Sequence, residues 1–298
     1  VLVSEADAAM YEAKRGGGHG VCVFDMAARD EVRTRAQLEQ LLPEAIRRGQ
    51  LEVVYQPVLR LSDGRVTGLE ALLRWSQPET GRVSPQVFVA IADSLGLASE
   101  LLRFVLVESA ERRPELESLF GSDVRVWVNL LPRHLAHGCA LQAVEEMRSA
   151  GQLDSDWLGL EVGTAVPLDE STGVLPAMRR LRELGVRFAV DDFGTGPTSI
   201  SSLRRLPVDV LKIDPCFIGR LGGEGDNAMV AGILRLAGGL SLTTVAEGVE
   251  TRAQAKLLCE MGCLQAQGHF FCPPLPPKEL RRVSGESGAA FGKIASGW

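Results

Sequence analysis

From about residue 50 onward, short apolar runs rich in Val, Leu and Ile alternate with longer amphipathic segments, and no other feature of the chain constrains its fold as strongly. The runs read LEVVYQP, TGLEALLRW, VRVWVNL, WLGLEV, RFAVDDFG, DVLKID, LTTVAEG and, more weakly, LQAQGHFF. Between them lie helical patterns such as SPQVFVAIADSLG, CALQAVEEMRSAG, GVLPAMRRLRELG and DNAMVAGILRLAGGL, several ending at a glycine suited to a helix C-terminus. Strands alternating with helices predict βαβ units around a parallel sheet. About eight strands over roughly 230 residues match a TIM-type (β/α)8 barrel in size and count. A doubly wound open sheet is the competing architecture, but the Gly-rich phosphate fingerprint expected after its first strand is missing.

Composition narrows the partners. A chain of 298 residues, 45% of them hydrophobic, supports a sizeable core. Its net charge of -6 argues against a general DNA binder, whose footprint would be basic, so an anionic ligand needs local help from metals or a few placed cations. Six cysteines show neither a CxxC pair nor a His partner at zinc-finger spacing, which argues against a metal-thiolate site and fits a reducing cytoplasm. The longest apolar stretches fall short of the roughly 20 residues that span a bilayer, so no membrane segment is expected in this chain, although an anchor upstream of Val1 stays open.

The two ends differ from the middle. Residues 1–25 offer one helix, a glycine run and a short strand, too little to fold alone. Residues 26–50 form a linker helix with Leu38, Leu41, Leu42 and Ile46 at helical spacing. The Gly/Ser-rich segment 284–298 is expected to be a disordered tail.

In a parallel barrel the strand C-termini share one mouth, where catalytic groups gather. The polar residues that close the apolar runs are Glu70, Asn129, Glu161, Asp191 with Asp192, Lys212 with Asp214, Glu247 and Gln267. If the barrel forms, they converge although they are scattered over almost 200 positions. Their donors are oxygens with no His among them, which suits a hard ion such as Mg²⁺, Mn²⁺ or Ca²⁺. So many carboxylates carry more charge than one divalent ion neutralises, and two ions about 3.5–4 Å apart, sharing a carboxylate, account for the adjacency of Asp191 and Asp192. The competing reading is that each acid caps a following helix, which a set ending successive runs makes harder to sustain. Lys212, in LKID, is either a solvated surface charge or, inside an acidic ring, a group that orients water or stabilises phosphate charge.

These residues also carry a family resemblance. LEALLRW (69–75), VNL (128–130), DDFGTG (191–196), LKID (211–214), AEGVE (246–250) and QGHFF (267–271), with YQP at 55–57, stand in the order and spacing of the EAL domain, over about residues 36–283. The resemblance implies a TIM-type barrel with its first strand antiparallel, and hydrolysis of cyclic di-GMP to linear pGpG. It implies two divalent cations, Mg²⁺ or Mn²⁺, with Ca²⁺ binding but inhibiting. Carried over by position, Glu70, Asn129, Glu161, Asp191, Asp192 and Glu247 would be metal ligands, with Lys212, Glu247 and Glu70 serving the attacking water. Gln56, Arg74, Asp214, Glu250 and Gln267 would contact the phosphates and guanines. A homodimer is also implied. Residues 1–25 resemble the last helix and strand of a GGDEF domain, which implies an upstream GGDEF or sensor domain.

Two of the chain's departures from that pattern bear on the aspartate loop. Thr164 stands where active members usually carry a second Glu that tethers the aspartate loop, and Pro197 stands in that loop where Tyr is usual, fixing φ and removing an amide donor. Two readings follow: an active, metal-dependent phosphodiesterase, or a degenerate domain that binds cyclic di-GMP or a protein partner as a sensor without hydrolysis.

Overall fold

The structure is a computed structural model that describes residues 26–77, 81–153, 157–164, 172–196 and 200–284. The expectations for residues 1–25, for Pro197 and for the tail beyond Ser284 fall outside the described residues. The strands are β1 (Leu51–Arg60), β2 (Val66–Gln77), β3 (Gly81–Val83), β4 (Arg125–Leu130), β5 (Leu158–Gly163), β6 (Arg187–Phe193), β7 (Val210–Ile213), β8 (Thr243–Ala246) and β9 (Gln265–Ala266). The helices are α1 (Met26–Arg47), α2 (Pro85–Ser94), α3 (Ala98–Phe120), α4 (Pro132–Ala136), α5 (Cys139–Ser149), α6 (Val174–Glu183), α7 (Ile200–Arg205), α8 (Pro215–Ile218), α9 (Glu224–Gly239) and α10 (Arg252–Glu260).

The described residues divide into two compact units: those up to Leu51 with those of Trp75–Leu97, and those of Glu52–Arg74 with those from Ala98 onward. In the smaller unit α1 buries Leu38, Leu42 and Ala45, a stripe at spacings of four and three. Leu41, expected on that stripe, is 43% exposed, because it lies a turn-fraction away from the Leu38–Leu42–Ala45 line. Within the same unit Phe88 of α2 packs edge-on against Trp75 at 6.0 Å, and β3 pairs antiparallel with the last residues of β2. At three residues β3 is too short for an apolar run to announce it.

The larger unit is the expected TIM-type barrel. Strand order runs β1-β9-β8-β7-β6-β5-β4-β2, and a β1–β2 pairing closes the ring, which excludes the open doubly wound sheet. From β2 through β4 to β9 the neighbours are parallel. The first strand is antiparallel, with Leu59 opposite Ala266. A strand's side chains alternate, so each strand sends one row into the barrel and one toward the helices. The outward row, including Leu69, Val126, Val128, Leu160, Phe188, Val190, Leu211 and Ile213, joins the helices in the main core.

The inward rows stack in layers. Val58, Trp127, Ala189, Val210 and Val245 form an apolar cluster in the middle of the barrel. Trp127 has room only because its neighbours on β2 and β5 are glycines: a Cβ on Gly68 would lie 2.8 Å from the indole Nε1, and one on Gly159 would lie 2.2 Å from the ring. Gly159→Ala is therefore expected to destabilise the fold by about 1–3 kcal/mol through overpacking. Thermal melting should show this as a fall of roughly 2–10 °C in Tm. A Tm unchanged within a degree would show that Trp127 simply moves aside. Two residues beyond this layer, each inward row ends in one of the polar groups that the apolar runs led to.

Candidate active site

Those row ends meet at the C-terminal mouth. Glu70 continues the row of Gly68, Asn129 that of Trp127, Glu161 that of Gly159, Asp191 that of Ala189, Lys212 that of Val210, Glu247 that of Val245 and Gln267 that of Gln265. Lys212 is 2% exposed and lies among four carboxylates. Its Nζ is 2.7 Å from Glu161 Oε2, 2.8 Å from Glu247 Oε1, 3.3 Å from Glu70 Oε2 and 3.4 Å from Asp191 Oδ1. The surface-charge reading of this lysine is thereby excluded. Around it, Asn129 Nδ2 donates to Glu70 Oε1 at 2.8 Å, and Gln267 Nε2 donates to Glu70 Oε2 at 2.6 Å and to Glu247 Oε1 at 3.0 Å.

Two adjacent residues on a regular strand point to opposite faces, so Asp191 and Asp192 should not share the mouth. A break in the pairing register of β6 and β7 between Val190 and Phe193 resolves this, with Asp192 at φ 53°, a left-handed conformation that aspartate tolerates better than most residues. Asp191, Asp192 and Glu247 then each offer an oxygen within 4.8 Å of the others. Downstream, the Thr195 hydroxyl approaches Asp192 O at 3.0 Å and Asp214 Oδ2 at 3.3 Å. Asp214 Oδ1 accepts from Cys216 N at 2.7 Å and caps α8. Among the described residues the helix-cap reading holds for Asp214.

The other expected positions are placed as follows. Glu70 does not end its strand, since β2 runs on to Gln77. Gln56 is buried and donates to the Cys272 carbonyl at 3.1 Å. Arg74 donates through Nη1 to the Leu73 carbonyl at 2.8 Å. The Glu250 side chain is exposed, while its backbone N–H donates to Gln254 Oε1 at 2.9 Å beside the box that caps α10. Thr164, at the end of β5, is buried and lies against the backbone of Gly196: a Cβ there would be 1.9 Å from Thr164 Oγ1. Position 164 thus touches the aspartate loop. The roles of Thr195 and Gln267 in positioning the acids had no sequence signal, because both depend on partners brought close only by the closed barrel.

The electrostatics are those of crowded carboxylates sharing one ammonium. Burial, then the neighbouring Glu70 charge, push Glu161 well above the ordinary glutamate range. Burial also raises Glu247 well above that range against the pull of Lys212. Burial pushes Glu70 up as well, but Lys212 and the donors Gln267 and Asn129 outweigh it and leave its carboxyl low. For Lys212 burial acts downward, and the surrounding carboxylates overcome it and raise the ammonium. Asp192 is raised by partial burial and by Asp191.

The donor set fits a hard divalent cation. All its donors are oxygens, three lie within reach of one centre, and Asp191 Oδ1 is buried without a well-aligned hydrogen bond, the Lys212 ammonium standing 3.4 Å away. In the cation-free protein the raised Glu161 and Glu247 contribute stability below the ordinary glutamate range, which is lost as pH rises through their elevated values, while Glu70 contributes in the opposite sense. A cation replaces that loss. The rise in Tm on adding Mg²⁺ or Mn²⁺ is therefore expected to be larger at about pH 8 than at about pH 5.5. Equal rises in a scanning calorimeter would detach cation binding from these carboxylates.

Comparison with known proteins agrees with this geometry. The family model of the EAL domain matches residues 39–274. An uncharacterised protein of Mycobacterium tuberculosis is 37% identical over 286 residues, which cover 95% of this chain and 46% of that protein. The bifunctional diguanylate cyclase/cyclic di-GMP phosphodiesterase MucR of Pseudomonas aeruginosa is 35% identical over 280 residues, 94% of this chain and 41% of its own length. The chain thus spans less than half the length of these curated relatives. The solved structure of the PaMucR phosphodiesterase in complex with c-di-GMP superposes with a TM-score of 0.77 at 36% identity, covering 82% of this chain and 99% of that one. Among the described residues no helix is long and apolar enough to cross a membrane.

Proposed function

Because the chain belongs to the EAL domain family, we propose that it is a divalent-cation-dependent phosphodiesterase that opens cyclic di-GMP to linear pGpG. The observation that carries this reading is the mouth itself, where Asp191, Asp192 and Glu247 converge beside a lysine buried among four carboxylates. Asp191, Asp192 and Glu247 would hold one cation, with Glu70, Asn129 and Glu161 completing the ligand set for a second. When bound, the cations supply Lewis acidity toward the phosphate and the attacking water.

The chain's own groups divide the remaining work. Lys212 is an ammonium, so it donates hydrogen bonds and positive charge and is not the base. Glu247, 2.8 Å from that ammonium, would take the proton of the attacking water. The water oxygen would form the new bond to phosphorus as the bond to the ribose 3′-oxygen breaks, and that oxygen would leave as the 3′-hydroxyl with a proton taken from solvent. Gln56, Arg74, Asp214, Glu250 and Gln267 would meet the phosphates and guanines, with Arg74 offering a planar donor fork. Asp214 and Gln267 also hold the shape of the mouth through Thr195, Glu70 and Glu247. The free cysteines Cys139, Cys216, Cys259, Cys263 and Cys272 support a reducing, cytoplasmic setting.

Purified protein incubated with cyclic di-GMP and Mg²⁺ or Mn²⁺ is expected to yield pGpG, followed by chromatography. Binding in Ca²⁺ without product in Mg²⁺ or Mn²⁺ would replace the hydrolase by a sensor. Position 164 gives a second check. Because Thr164 already fills the space against Gly196, Thr164→Glu is expected to displace the aspartate loop and lower turnover. A higher turnover would show that a hydrogen-bonded tether matters more than this packing.

A further inference from the structure

The end of the barrel opposite the mouth carries a second cavity, of about 550 Å³. It lies where strands begin. Arg125 opens β4, Arg187 opens β6, Asp209 precedes β7, Ser241 precedes β8, and Arg182 comes from the last turn of α6. Trp127 lines it from the apolar middle layer, with the Arg125 guanidinium 6.0 Å from the centre of its ring.

The charge balance of this cavity is unlike that of the chain as a whole. Among the described residues that line it, three guanidiniums stand against the carboxylate of Asp209, on a chain of net charge -6. Asp209 is already committed on both oxygens. Oδ1 accepts from Arg187 Nη1 at 2.9 Å, and Oδ2 accepts from Arg182 Nη1 at 3.2 Å and from Phe188 N at 3.0 Å. That carboxylate orients two of the arginines. The hydroxyls of Ser241 and Thr243 add neutral donors around the rim. Convergent guanidiniums suit a phosphate dianion, which they grip as bidentate forks. The volume exceeds what inorganic phosphate needs and falls within the roughly 300–1,000 Å³ of small-molecule sites. Cationic recognition at one wall and an indole at the floor fit a phosphate carried on a flat organic group.

We propose that the N-terminal end of the barrel is a second ligand site, separate from the mouth, that binds a phosphate-bearing small molecule of mononucleotide size through Arg125, Arg182 and Arg187 over Trp127. The full chain in EDTA, titrated with GMP by calorimetry and by tryptophan emission, should bind saturably. Inorganic phosphate should bind more weakly, and guanosine should not bind. Arg187→Gln and Arg182→Gln should each weaken GMP by about tenfold or more, with circular dichroism showing an intact fold. Trp127→Phe should remove the change in emission while calorimetry still reports binding. Three results would overturn the proposal: no GMP binding, binding indifferent to both arginine variants, or phosphate and guanosine binding as tightly as GMP. Because the arginines lie at the opposite end of the barrel from the mouth, these outcomes do not depend on whether cyclic di-GMP is hydrolysed.

Discussion

Asp191→Asn should lower the turnover of cyclic di-GMP by more than about 100-fold, since changes to residues that merely support metal ligands already cost about 10–100-fold. The substitution keeps the size and shape of the side chain, so packing at the end of β6 should survive. It removes one negative charge beside Asp192, Glu161 and Glu247, all of which Asp191 pushes upward. It also gives the buried Oδ1 position, which lacks a well-aligned hydrogen bond and lies 3.4 Å from the Lys212 ammonium, to a neutral amide. The cation-free protein should therefore melt at the same temperature or higher while activity and the cation-induced rise in Tm collapse. That opposition between stability and activity is the signature of a ligand held under repulsion. A rate within a few-fold of the unaltered protein would remove Asp191 from the metal site.

Lys212→Met is expected to act in the opposite direction on stability. Methionine approximates the volume of the lysine but leaves Glu70, Glu161, Asp191 and Glu247 without the ammonium they surround. Removing one partner from a buried ionic cluster costs about 3–5 kcal/mol. In EDTA near neutral pH the variant should melt roughly 6–20 °C lower. Acidification should return part of the loss as the raised carboxyls of Glu161 and Glu247 take up protons, and Mg²⁺ or Mn²⁺ should return more. Turnover should not recover, because the charge and hydrogen bonds that Lys212 would offer the phosphate and water are gone. Denaturant unfolding with and without cation separates these effects. Equal stability of the two proteins in EDTA would mean that Lys212 does not compensate these carboxylates.

Much of this site could be read before any coordinates, for a local reason. A strand has a two-residue period, so the apolar middle of each run and the polar residue that follows it are properties of consecutive residues. Glu161 after WLGL, Lys212 after DVL and Glu247 after TTVA were legible in that way, and so was the barrel that gathers them. The period alone does not account for the paired acids. It puts Asp191 and Asp192 on opposite faces, and only the break in register at β6, with Asp192 left-handed, lets both serve the mouth. Leu41 failed for the matching helical reason, since a stripe allows several nearby leucines and only packing in the smaller unit chose Leu38 and Leu42.

What the sequence determined by itself is therefore the architecture of the larger unit and the identity of the polar residues at its mouth, because both follow from patterns a few residues long. Tertiary structure alone decided how those residues are wired. Gln267 reaches Glu70 across 197 positions, Lys212 reaches Glu161 across 51, and Thr195 joins Asp214 across 19. It also decided that Gly68 and Gly159 make room for Trp127, and that three arginines from separate strand and helix ends share one cavity. No local pattern encodes such pairings, since each exists only once barrel closure has set the distance between strands remote in the chain.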